Sequence, residues 1–545
     1  MYSTRSEHSV TEVTCDVVVV GAGPTGLMVA CVLAKLGVNA VVLDEGSGPT
    51  QESRALALQS RTMEIYDQLG MVDEVLQGAV VADALAMGFE RRELGRIPLD
   101  GGRRSATPYP AIHILEQSEN ERLLHEHLQR SDGRVLWGHR VTALEDRPGG
   151  VLVTAQSADV TVRVRARWCV GADGASSVVR GLRGIPFEGT TNERSFYVAD
   201  AVGVQGVGDA AVNERLAGRD FLLTFPMGSP NGGARSHHRL LGAARGLHDD
   251  QDDDNEDSDG GAPGSADAGV TEGGIRSMLE KIYGVTYEKV TWFTTYRVHH
   301  RVAGRFRDGA VFLAGDAAHV HSPLGAQGMN TGLQDAHGLA TKLADVASGV
   351  ASDASLDRYD TERRAVALNL VRKTDRIFRA VTADTRGARF VRRRLVPIVV
   401  PVLARIAPHL PDGGLGFTSQ VHIHYSTSGA LPAARGRRGK VVGRRLPWTP
   451  EGHAATRSMR WQVHSYGPLD DRVAEALRHR LDLDVHVFDT VRGTGLRAGQ
   501  LYLVRPDGFV AAAVPIEETK DTAAQLLAAL PDRWGATARQ TVGRR

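Results

Sequence analysis

The sequence has few cysteines, no excess of either charge and no long hydrophobic run. Its three cysteines, Cys15, Cys31 and Cys169, form no Cys-x-x-Cys pair, which argues against a disulfide framework, an iron–sulfur site or a zinc ribbon and favours a cytoplasmic location. The net charge of +1 gives no support for nucleic-acid binding. The N-terminus lacks the apolar core of a signal peptide, and no later run approaches the roughly 20 residues of a membrane helix. We therefore expect a small-molecule partner, with no nucleic acid and no membrane.

The chain is long enough for two or three domains, and the first begins with a strand, a glycine turn and a helix. Apolar, β-branched residues predict strands at 16–20 and 40–43. The segment 25–36 between them has the length and composition of a helix. Pro24 and Thr25, in the turn before it, are assigned as cofactor-binding residues together with the glycines of that turn. The order predicts a βαβ unit.

The turn of this unit has the spacing of a dinucleotide-binding motif. Gly21 permits the tight turn, Gly23 lets a pyrophosphate approach the backbone, and Gly26 lets the helix pack closely on the strand. The helix start presents free N–H groups and a positive dipole end to the phosphates. Asp44, at the end of the next strand, is placed for ribose hydroxyls. NAD and FAD both use this unit, so the motif leaves a nicotinamide-only dehydrogenase open.

A second motif, LAGDAAHVHSPLGAQGMNTG, favours FAD. A strand at 310–314 ends at Asp316, whose carboxylate can accept hydrogen bonds from ribityl hydroxyls, and NAD has no ribityl chain. The glycines after it allow a flavin ring to lie against bare backbone, and a helix running to about residue 346 points its N–H groups at the ring. The residues of this second segment assigned to the cofactor are Pro323, Gly328, Met329 and Asn330.

The middle of the chain predicts a second sheet. Strand-like segments at 195–202, 221–225 and 289–297 are expected to shape a substrate cavity. Residues 249–269 form an acidic block with almost no apolar residue, which predicts a disordered loop. A calcium loop is the weaker reading, because the spaced glycine and closing glutamate are missing.

The last third of the chain predicts helices and a small α/β unit. Residues 356–379 are helical in pattern, and 391–403 predict a packed helix with a solvated arginine edge, interrupted at Pro397 and Pro401. A basic helix lying on a membrane is the alternative. After a basic linker at 434–441, a strand, a helix, three strands and a closing helix suggest a thioredoxin-like module. It contains no cysteine, so a structural or assembly role is expected.

Together these motifs resemble those of the FAD-dependent monooxygenases that hydroxylate aromatic rings, the p-hydroxybenzoate-hydroxylase-like class A group. The resemblance is greatest to bacterial polyketide and phenol hydroxylases with a cysteine-poor thioredoxin-like tail. It implies further cofactor contacts in SRALALQSRTMEIYDQLG, ILEQSENERLL and CVGADGASSVVR. The residues added to the cofactor set are Glu45, Arg54, Gln117, Val141, Asp173 and Gly174.

The resemblance implies that NAD(P)H supplies electrons to FAD and that one atom of O₂ is transferred to a phenolic or polycyclic aromatic substrate. NADPH is favoured over NADH, although Glu45 stands where relatives often carry an arginine for the 2′-phosphate. A base would activate a phenol. The candidates near the second motif are His299, His300, His319 and His321, each more typical of a structural histidine. Baeyer–Villiger oxygenation, dehydrogenation and a non-catalytic flavin-binding or assembly role are the alternatives.

The expected fold is α/β, with a Rossmann-type FAD-binding domain, an inserted β-sheet substrate domain, a helical segment and a C-terminal thioredoxin-like domain. We predict that the FAD-binding domain comprises residues 1–190 and 290–350 and that the substrate domain comprises 191–289. The helical segment is expected at 351–425 and the thioredoxin-like domain at 426–545. A homodimer is a further expectation.

Overall fold

The computed structural model describes residues 9–50, 55–99, 106–158, 160–218, 220–228, 236–243, 270–322, 327–383, 385–409, 419–425, 441–491, 493–516 and 519–532. Two predicted cofactor residues, Arg54 and Pro323, lie outside these ranges, as does the predicted acidic loop at 249–269.

The strands, in chain order, are β1 (Ser9–Val20), β2 (Ala40–Leu43), β3 (Ala57–Leu58), β4 (Val80–Ala82), β5 (Ala84–Phe89), β6 (Arg92–Pro98), β7 (Ile112–Ile114), β8 (Arg134–Leu136), β9 (Arg140–Arg147), β10 (Gly150–Gln156), β11 (Val160–Gly171), β12 (Phe187–Val202), β13 (Ala211–Leu216), β14 (Phe221–Pro226), β15 (His237–Ala243), β16 (Lys289–Ala303), β17 (Arg307–Asp308), β18 (Val311–Leu313), β19 (His319–Val320), β20 (Gln462–Tyr466), β21 (Asp484–Phe488), β22 (Gln500–Val504) and β23 (Val510–Pro515).

The α-helices are α1 (Pro24–Lys35), α2 (Ser60–Leu69), α3 (Val72–Gly78), α4 (Gln117–Arg130), α5 (Val178–Leu182), α6 (Glu272–Met278), α7 (Gly328–Ala347), α8 (Asp357–Tyr359), α9 (Ala365–Thr382), α10 (Arg386–Ile406), α11 (Pro450–Thr456), α12 (Asp471–Leu481) and α13 (Thr519–Leu527).

The first sheet is parallel at its centre, in the order β17-β18-β11-β1-β2-β8, and β10 and β9 extend it from β11. The predicted βαβ unit is confirmed as β1, α1 and β2, although β1 begins at Ser9 rather than residue 16. Its valine run is buried because helices cover both faces of a parallel sheet, so a continuous apolar strand fits there. The fold is therefore mixed α/β with a Rossmann-type sheet, as predicted.

The predicted second sheet is also confirmed, in the order β19-β16-β12-β15-β14-β13-β5-β6. It draws on β5, β6 and most of β16, which lie outside the segment 191–289 predicted for the substrate domain. Strands that are distant in sequence pair in this sheet, so the contiguous segment 191–289 does not include all of its strands. One of its faces packs against Leu56, Ala57 and Ile114, next to the first sheet's helices.

Helix α10 differs from its prediction. It runs unbroken through Pro397 and Pro401, and its buried residues are Arg392 and Ala404. Its outward surface includes large apolar side chains, with Phe390 65% and Ile398 64% exposed. The same face carries further large apolar side chains that are 45–50% exposed, namely Val391, Leu395, Val399, Val402, Leu403 and Ile406. Arg393 and Arg394 are exposed, as the predicted solvated arginine edge requires, but most large apolar side chains of the helix are exposed as well and are not packed as predicted.

The C-terminal unit has the predicted order of elements, and its sheet runs β21-β20-β22-β23. It is joined to the rest of the chain by buried charges. Arg505 Nη1 donates to Glu362 Oε1 at 2.7 Å, and Lys342 Nζ lies 2.9 Å from Glu362 Oε2. The indole of Trp461 donates to Asp345 at 3.0 Å. Because Lys342 and Asp345 belong to α7, this unit supports the far end of that helix.

The three cysteines are buried free thiols. None of the described helices combines the length and the apolar character needed to cross a bilayer.

Candidate cofactor and substrate site

The glycine turn after β1 is built so that two of its glycines cannot be replaced and the third faces open space. Gly21 has φ +101°, and a Cβ there would lie 2.4 Å from the carbonyl oxygen of Ala172. A Cβ on Gly26 would lie 1.9 Å from the oxygen of Gly21. Gly23, the N-cap of α1, has no atom within 4 Å of its Cβ position. The backbone at the start of α1 is therefore not covered by any side chain of the turn.

Thr25 joins the two predicted cofactor motifs. A Cβ on Gly315, which has φ +60°, would lie 2.5 Å from Thr25 Oγ1, and so would a Cβ on Gly332 in α7. The glycine turn, the Gly315–Asp316 turn and α7 therefore meet at one point. Asp316 follows in a short 3₁₀ turn and is exposed to solvent.

The two acids after β2 differ in their surroundings. Asp44 Oδ2 accepts a hydrogen bond from the Ala22 N–H at 2.6 Å, and its Oδ1 accepts one from Gly46 at 2.7 Å. Asp44 is half-buried and holds the glycine turn in shape. Glu45 is 65% exposed and pairs with Arg140 at 2.8 Å, so its carboxylate lies on the surface.

The Asp173–Gly174 turn lies directly against Gly21. The Asp173 carboxylate accepts hydrogen bonds from Ser177 Oγ at 2.6 Å and from the Val179 N–H at 3.0 Å. Burial raises the pKa of Asp173, which these hydrogen bonds oppose. Its side chain is thus occupied in fixing the start of α5. Gly174 has φ +77° and open space at its Cβ position, so the turn adds another uncovered stretch of backbone.

The start of α7 is fastened by Asn330, which is fully buried. Its Oδ1 accepts hydrogen bonds from the Gln59 N–H at 2.9 Å and Thr62 Oγ1 at 2.7 Å, and its Nδ2 donates to the Ala57 carbonyl at 2.8 Å. These bonds hold the start of α7 against β3 and α2 through the Asn330 side chain. Met329 Sδ lies 3.6 Å from Asn120 Nδ2.

Gln117 stands at the start of α4 and is hydrogen-bonded to Ala55. Its N–H donates to the Ala55 carbonyl at 2.9 Å, and its Oε1 accepts from the Ala55 N–H at 3.3 Å. Its Nε2 donates to Glu121 Oε1 at 2.9 Å. Val141 is buried in the core of the first sheet, so its side chain serves packing.

Behind α7 lies a buried ion pair that sequence reasoning missed. Asp335 and Arg363 are fully buried, with Asp335 Oδ1 2.5 Å from Arg363 Nε. Asp335 Oδ2 accepts from the Gly315 N–H at 3.2 Å and lies 2.8 Å from His319 Nε2. Burial alone would raise the pKa of Asp335, but Arg363 and His319 outweigh it and hold that pKa below its usual range. Asp335 thereby ties α7 to the turn that carries Asp316.

Two of the four candidate histidines, His319 and His321, stack with their ring centres 6.3 Å apart, and the other two lie on β16. His319 is bound to Asp335, and His299 Nδ1 lies 2.9 Å from Thr191 Oγ1 at an exposed position. His300 is buried, 3.6 Å from Asp375. His321 lies about 4 Å from the Cβ position of Gly328 at the start of α7, and burial, with His319 beside it, lowers its pKa to about 4. The structure therefore brings His321 alone of the four next to the start of α7.

One face of the second sheet forms an aromatic and aliphatic floor against β3 and β7. Strand pairing aligns its side chains in rows across the sheet. Two rows are apolar, with members that include Phe196, Tyr296, Val198, Leu241 and Leu223. The row beside them consists of Trp292, Asp200, Arg239 and Phe225.

The charged pair in that row is almost completely enclosed. Arg239 is 2% exposed, and its Nε and Nη2 donate to the two Asp200 oxygens at 2.6 and 2.7 Å. The Arg239 guanidinium lies 5.3 Å from the Trp292 ring centre. Burial raises the pKa of Glu116, with Arg239 opposing that effect through space. Because Glu116 directly precedes Gln117, the charged row faces the start of α4. No sequence motif marks these residues.

These features fit a flavin dinucleotide. The uncovered backbone at Gly23 and Gly174, the exposed carboxylate of Asp316 and the start of α7 surround the contact between Thr25 and Gly315. A helix N-terminus with no side chain over its first turn is a site for phosphate. Among the described residues, no group of three histidine, cysteine or acidic side chains is arranged to hold a metal ion.

Comparison with known proteins agrees with this geometry. Residues 14–374 match the family model of the FAD binding domain. The chain is 31% identical over 517 residues to a 12-dehydrotetracycline 5-monooxygenase/anhydrotetracycline 6-monooxygenase of Streptomyces rimosus, covering 91% of this chain and 94% of that protein. It is 31% identical over 378 residues to pentachlorophenol 4-monooxygenase of Sphingobium chlorophenolicum, covering 68% and 66%. The solved structure of the anhydrotetracycline hydroxylase OxyS of Streptomyces rimosus matches with TM-score 0.71 and 28% identity, covering 95% of this chain and 99% of that one.

Proposed function

This chain belongs to the family of the FAD binding domain, and from that premise we propose that it hydroxylates a phenolic or polycyclic aromatic small molecule in polyketide-type metabolism, using NADPH and O₂. It is an FAD-dependent monooxygenase by its relatives and its fold. The observation that carries the proposal is the contact of Thr25 with both Gly315 and Gly332, because it unites the dinucleotide turn with the flavin-ring segment.

The cofactor would be held mainly by backbone. The bare turn at Gly23 and the start of α1 would take the pyrophosphate, and the Asp44 carboxylate would face the ribose. Asp316 would accept from the ribityl hydroxyls, and the start of α7 would direct N–H groups at the pyrimidine edge of the ring. When bound, FAD supplies the electron transfer and oxygen activation that amino-acid side chains lack.

The protein's own contribution is orientation and exclusion of water. An aromatic substrate would lie on the floor formed by residues such as Phe196 and Tyr296, where aromatic contacts fix ring orientation. Burial lowers the pKa of His321 to about 4, so the ring is neutral near pH 7 and its Nε2 can accept a hydrogen bond from a substrate hydroxyl at the start of α7. The three buried thiols are unpaired, which suits a reducing, cytoplasmic compartment.

The experiment is to purify the full chain, record its flavin spectrum and follow NADPH and O₂ consumption with anhydrotetracycline and pentachlorophenol. We expect a yellow protein, substrate-stimulated NADPH oxidation and a product that carries one oxygen atom from labelled O₂. A lactone product would instead assign Baeyer–Villiger chemistry, and oxidised product without added oxygen would assign dehydrogenation. A purified protein that is colourless and takes up no FAD would refute the proposal. Faster oxidation of NADH than of NADPH would overturn the choice of donor.

We further propose that the chain forms a homodimer through α10. Its eight large apolar side chains, each about half exposed, present on the order of 600 Å² of apolar surface. That area exceeds what most monomers expose in one patch and approaches the roughly 800 Å² per partner of a standard interface. Arginine, which flanks this face, is enriched at such interfaces.

The dimer is tested by light-scattering mass of the purified protein and of Ile398→Glu. We expect a dimer for the native chain and a monomer for the variant, with no change for Val487→Glu, which alters an exposed residue on β21. A native chain that is monomeric, or that binds anionic lipid vesicles through α10, would overturn this proposal.

A further inference from the structure

Arg239 is buried with part of its donor capacity unused. Its Nε and Nη2 are satisfied by Asp200, but Nη1 has no acceptor in the part of the protein that the structure describes. An unpaired, charged N–H in a buried position costs free energy, so such groups are rare unless a ligand completes them.

A second buried arginine of the same sheet shows the contrast. Arg215 on β13 uses Nη1 to donate to the Tyr283 carbonyl at 3.0 Å and Nη2 to donate to the Gly206 carbonyl at 2.7 Å. Both of its terminal nitrogens therefore have partners, as a structural arginine requires. The open Nη1 of Arg239 is not a general property of arginines in this sheet.

His237 provides a second buried nitrogen without a partner, on the same strand and the same face. It is two residues before Arg239 on β15, and residues at that spacing project to one side of a strand. Its Nδ1 lies 2.9 Å from the Gly228 carbonyl, whereas Nε2 has no partner among the described residues. His237 is also more than nine-tenths buried. Arg239 and His237 are thus two buried polar side chains, each with an unused nitrogen, and a ligand atom between them could reach both nitrogens.

The position lies between the aromatic floor and the start of α4. Trp292 and Phe225 are the cross-strand neighbours of the Asp200–Arg239 pair, and the apolar rows follow on one side. Glu116, which interacts electrostatically with both Arg239 and His237, precedes Gln117 on the opposite side. A flat ring on the floor would therefore present its edge oxygen to Arg239.

We infer that Arg239 and His237 form a subsite for a ring-conjugated hydroxyl of the substrate, a phenol or an enolised ketone. The oxygen of that hydroxyl accepts from Arg239 Nη1, and its proton faces His237 Nε2, which is the acceptor nitrogen of the neutral ring because Nδ1 donates to the Gly228 carbonyl. The inference rests on the proposed function and narrows its substrate class. Guanidinium donors form their strongest hydrogen bonds with charged acceptors, and Asp200 fixes the guanidinium so that little ordering is needed on binding. An alkyl ether at the same ring position has no proton to donate, and its oxygen is a weaker, uncharged acceptor.

The test compares binding of alizarin, a polycyclic phenol, with binding of its dimethyl ether, measured by perturbation of the flavin spectrum without NADPH. For the FAD-loaded native chain we expect at least about tenfold tighter binding of alizarin, the effect of a charged hydrogen bond. Arg239→Met should abolish this preference and leave the affinity for the ether unchanged. Arg276→Met, which removes an arginine stacked on Tyr287 away from the floor, should keep the preference.

Because Arg239→Met leaves Asp200 without its partner, a double variant with Arg239→Gln and Asp200→Asn keeps a neutral hydrogen-bonded pair. It too should lose the preference while retaining bound FAD. Equal preference in the variants and the native chain overturns the subsite, as does a native chain that binds neither probe or binds both equally. Hydroxylation of another phenol by a chain whose preference does not depend on Arg239 would refute the subsite and leave the proposed function standing. If alizarin is preferred in a way that depends on Arg239 but the chain forms no hydroxylated product, the subsite stands and the proposed function is refuted.

Discussion

Replacing Asp335 by asparagine should destabilise the protein strongly. The substitution keeps the shape of the side chain but removes the charge that faces Arg363 at 2.5 Å, and both side chains are fully buried. Removing one partner of such a pair leaves an uncompensated buried charge and costs about 3–5 kcal/mol. It also weakens the hydrogen bond to Gly315, next to Asp316. We therefore expect weaker FAD binding by about tenfold as well.

The assay is urea unfolding of the FAD-free chain, followed by circular dichroism, together with FAD titration. The control is Asp357→Asn, because Asp357 pairs with Arg307 at 2.9 Å but is 73% exposed, and such pairs contribute about 0–1 kcal/mol. The pKa of Asp335 lies below its usual range in the folded protein. Its contribution is therefore full above the unfolded pKa of about 4 and is lost as the pH falls through the folded value. A loss for Asp335→Asn no larger than that of the control at pH 7 would refute the reasoning.

Three further predictions follow from single contacts. Gly23→Val should lower FAD affinity at least tenfold while the FAD-free protein keeps its unfolding midpoint, because only open space surrounds the Cβ position of residue 23. The measurements are FAD titration and thermal melts, and Gly273→Val, which also places its side chain in open space, is the control. Burial raises the pKa of Asp345 to about 6, so its charge opposes folding above about pH 4. Asp345→Asn, which can still accept from Trp461, should therefore stabilise by about 3 kcal/mol at pH 7 and by less than about 1 kcal/mol at pH 4 in urea unfolding, and a loss at pH 7 would contradict this. Arg505→Met should destabilise by about 3–5 kcal/mol in the same assay, since it leaves two buried carboxylates, Glu362 and Asp507, to share Lys342, and a change under 1 kcal/mol would count against it.

The parts of the fold that sequence predicts well are those set by local sterics. Gly21 and Gly26 are required because a Cβ at either position collides with backbone, so their spacing predicts the turn and the parallel strands beside it. The meeting of this turn with the Gly315 segment was also predicted, and Thr25 provides that contact. The predicted roles of the individual cofactor residues stay predictions, although the structure locates most of them around that contact.

The interaction partners of buried polar side chains and the orientation of the apolar face of α10 could not be predicted from the sequence. Asp335 occurs in an amphipathic helix as any surface acid does, and nothing in the pattern shows that Arg363, on a separate element, neutralises it. Asn330 was assigned to the cofactor, but its side chain is committed to Ala57, Gln59 and Thr62. For α10, hydrophobic periodicity identifies an apolar face, but it does not determine whether that face points inward or outward.

The ion pairs beneath α7 make the last hundred residues inseparable from the flavin module. Glu362 and Lys342 form ion pairs with Arg505 and Asp507 of the C-terminal unit. Separating that unit from the rest of the chain would therefore leave unpaired charges on both surfaces. Chimeras that recombine this tail with another hydroxylase would need to exchange these four positions together. The tail and the FAD-binding part therefore form one structural unit, and the tail is not exchangeable on its own.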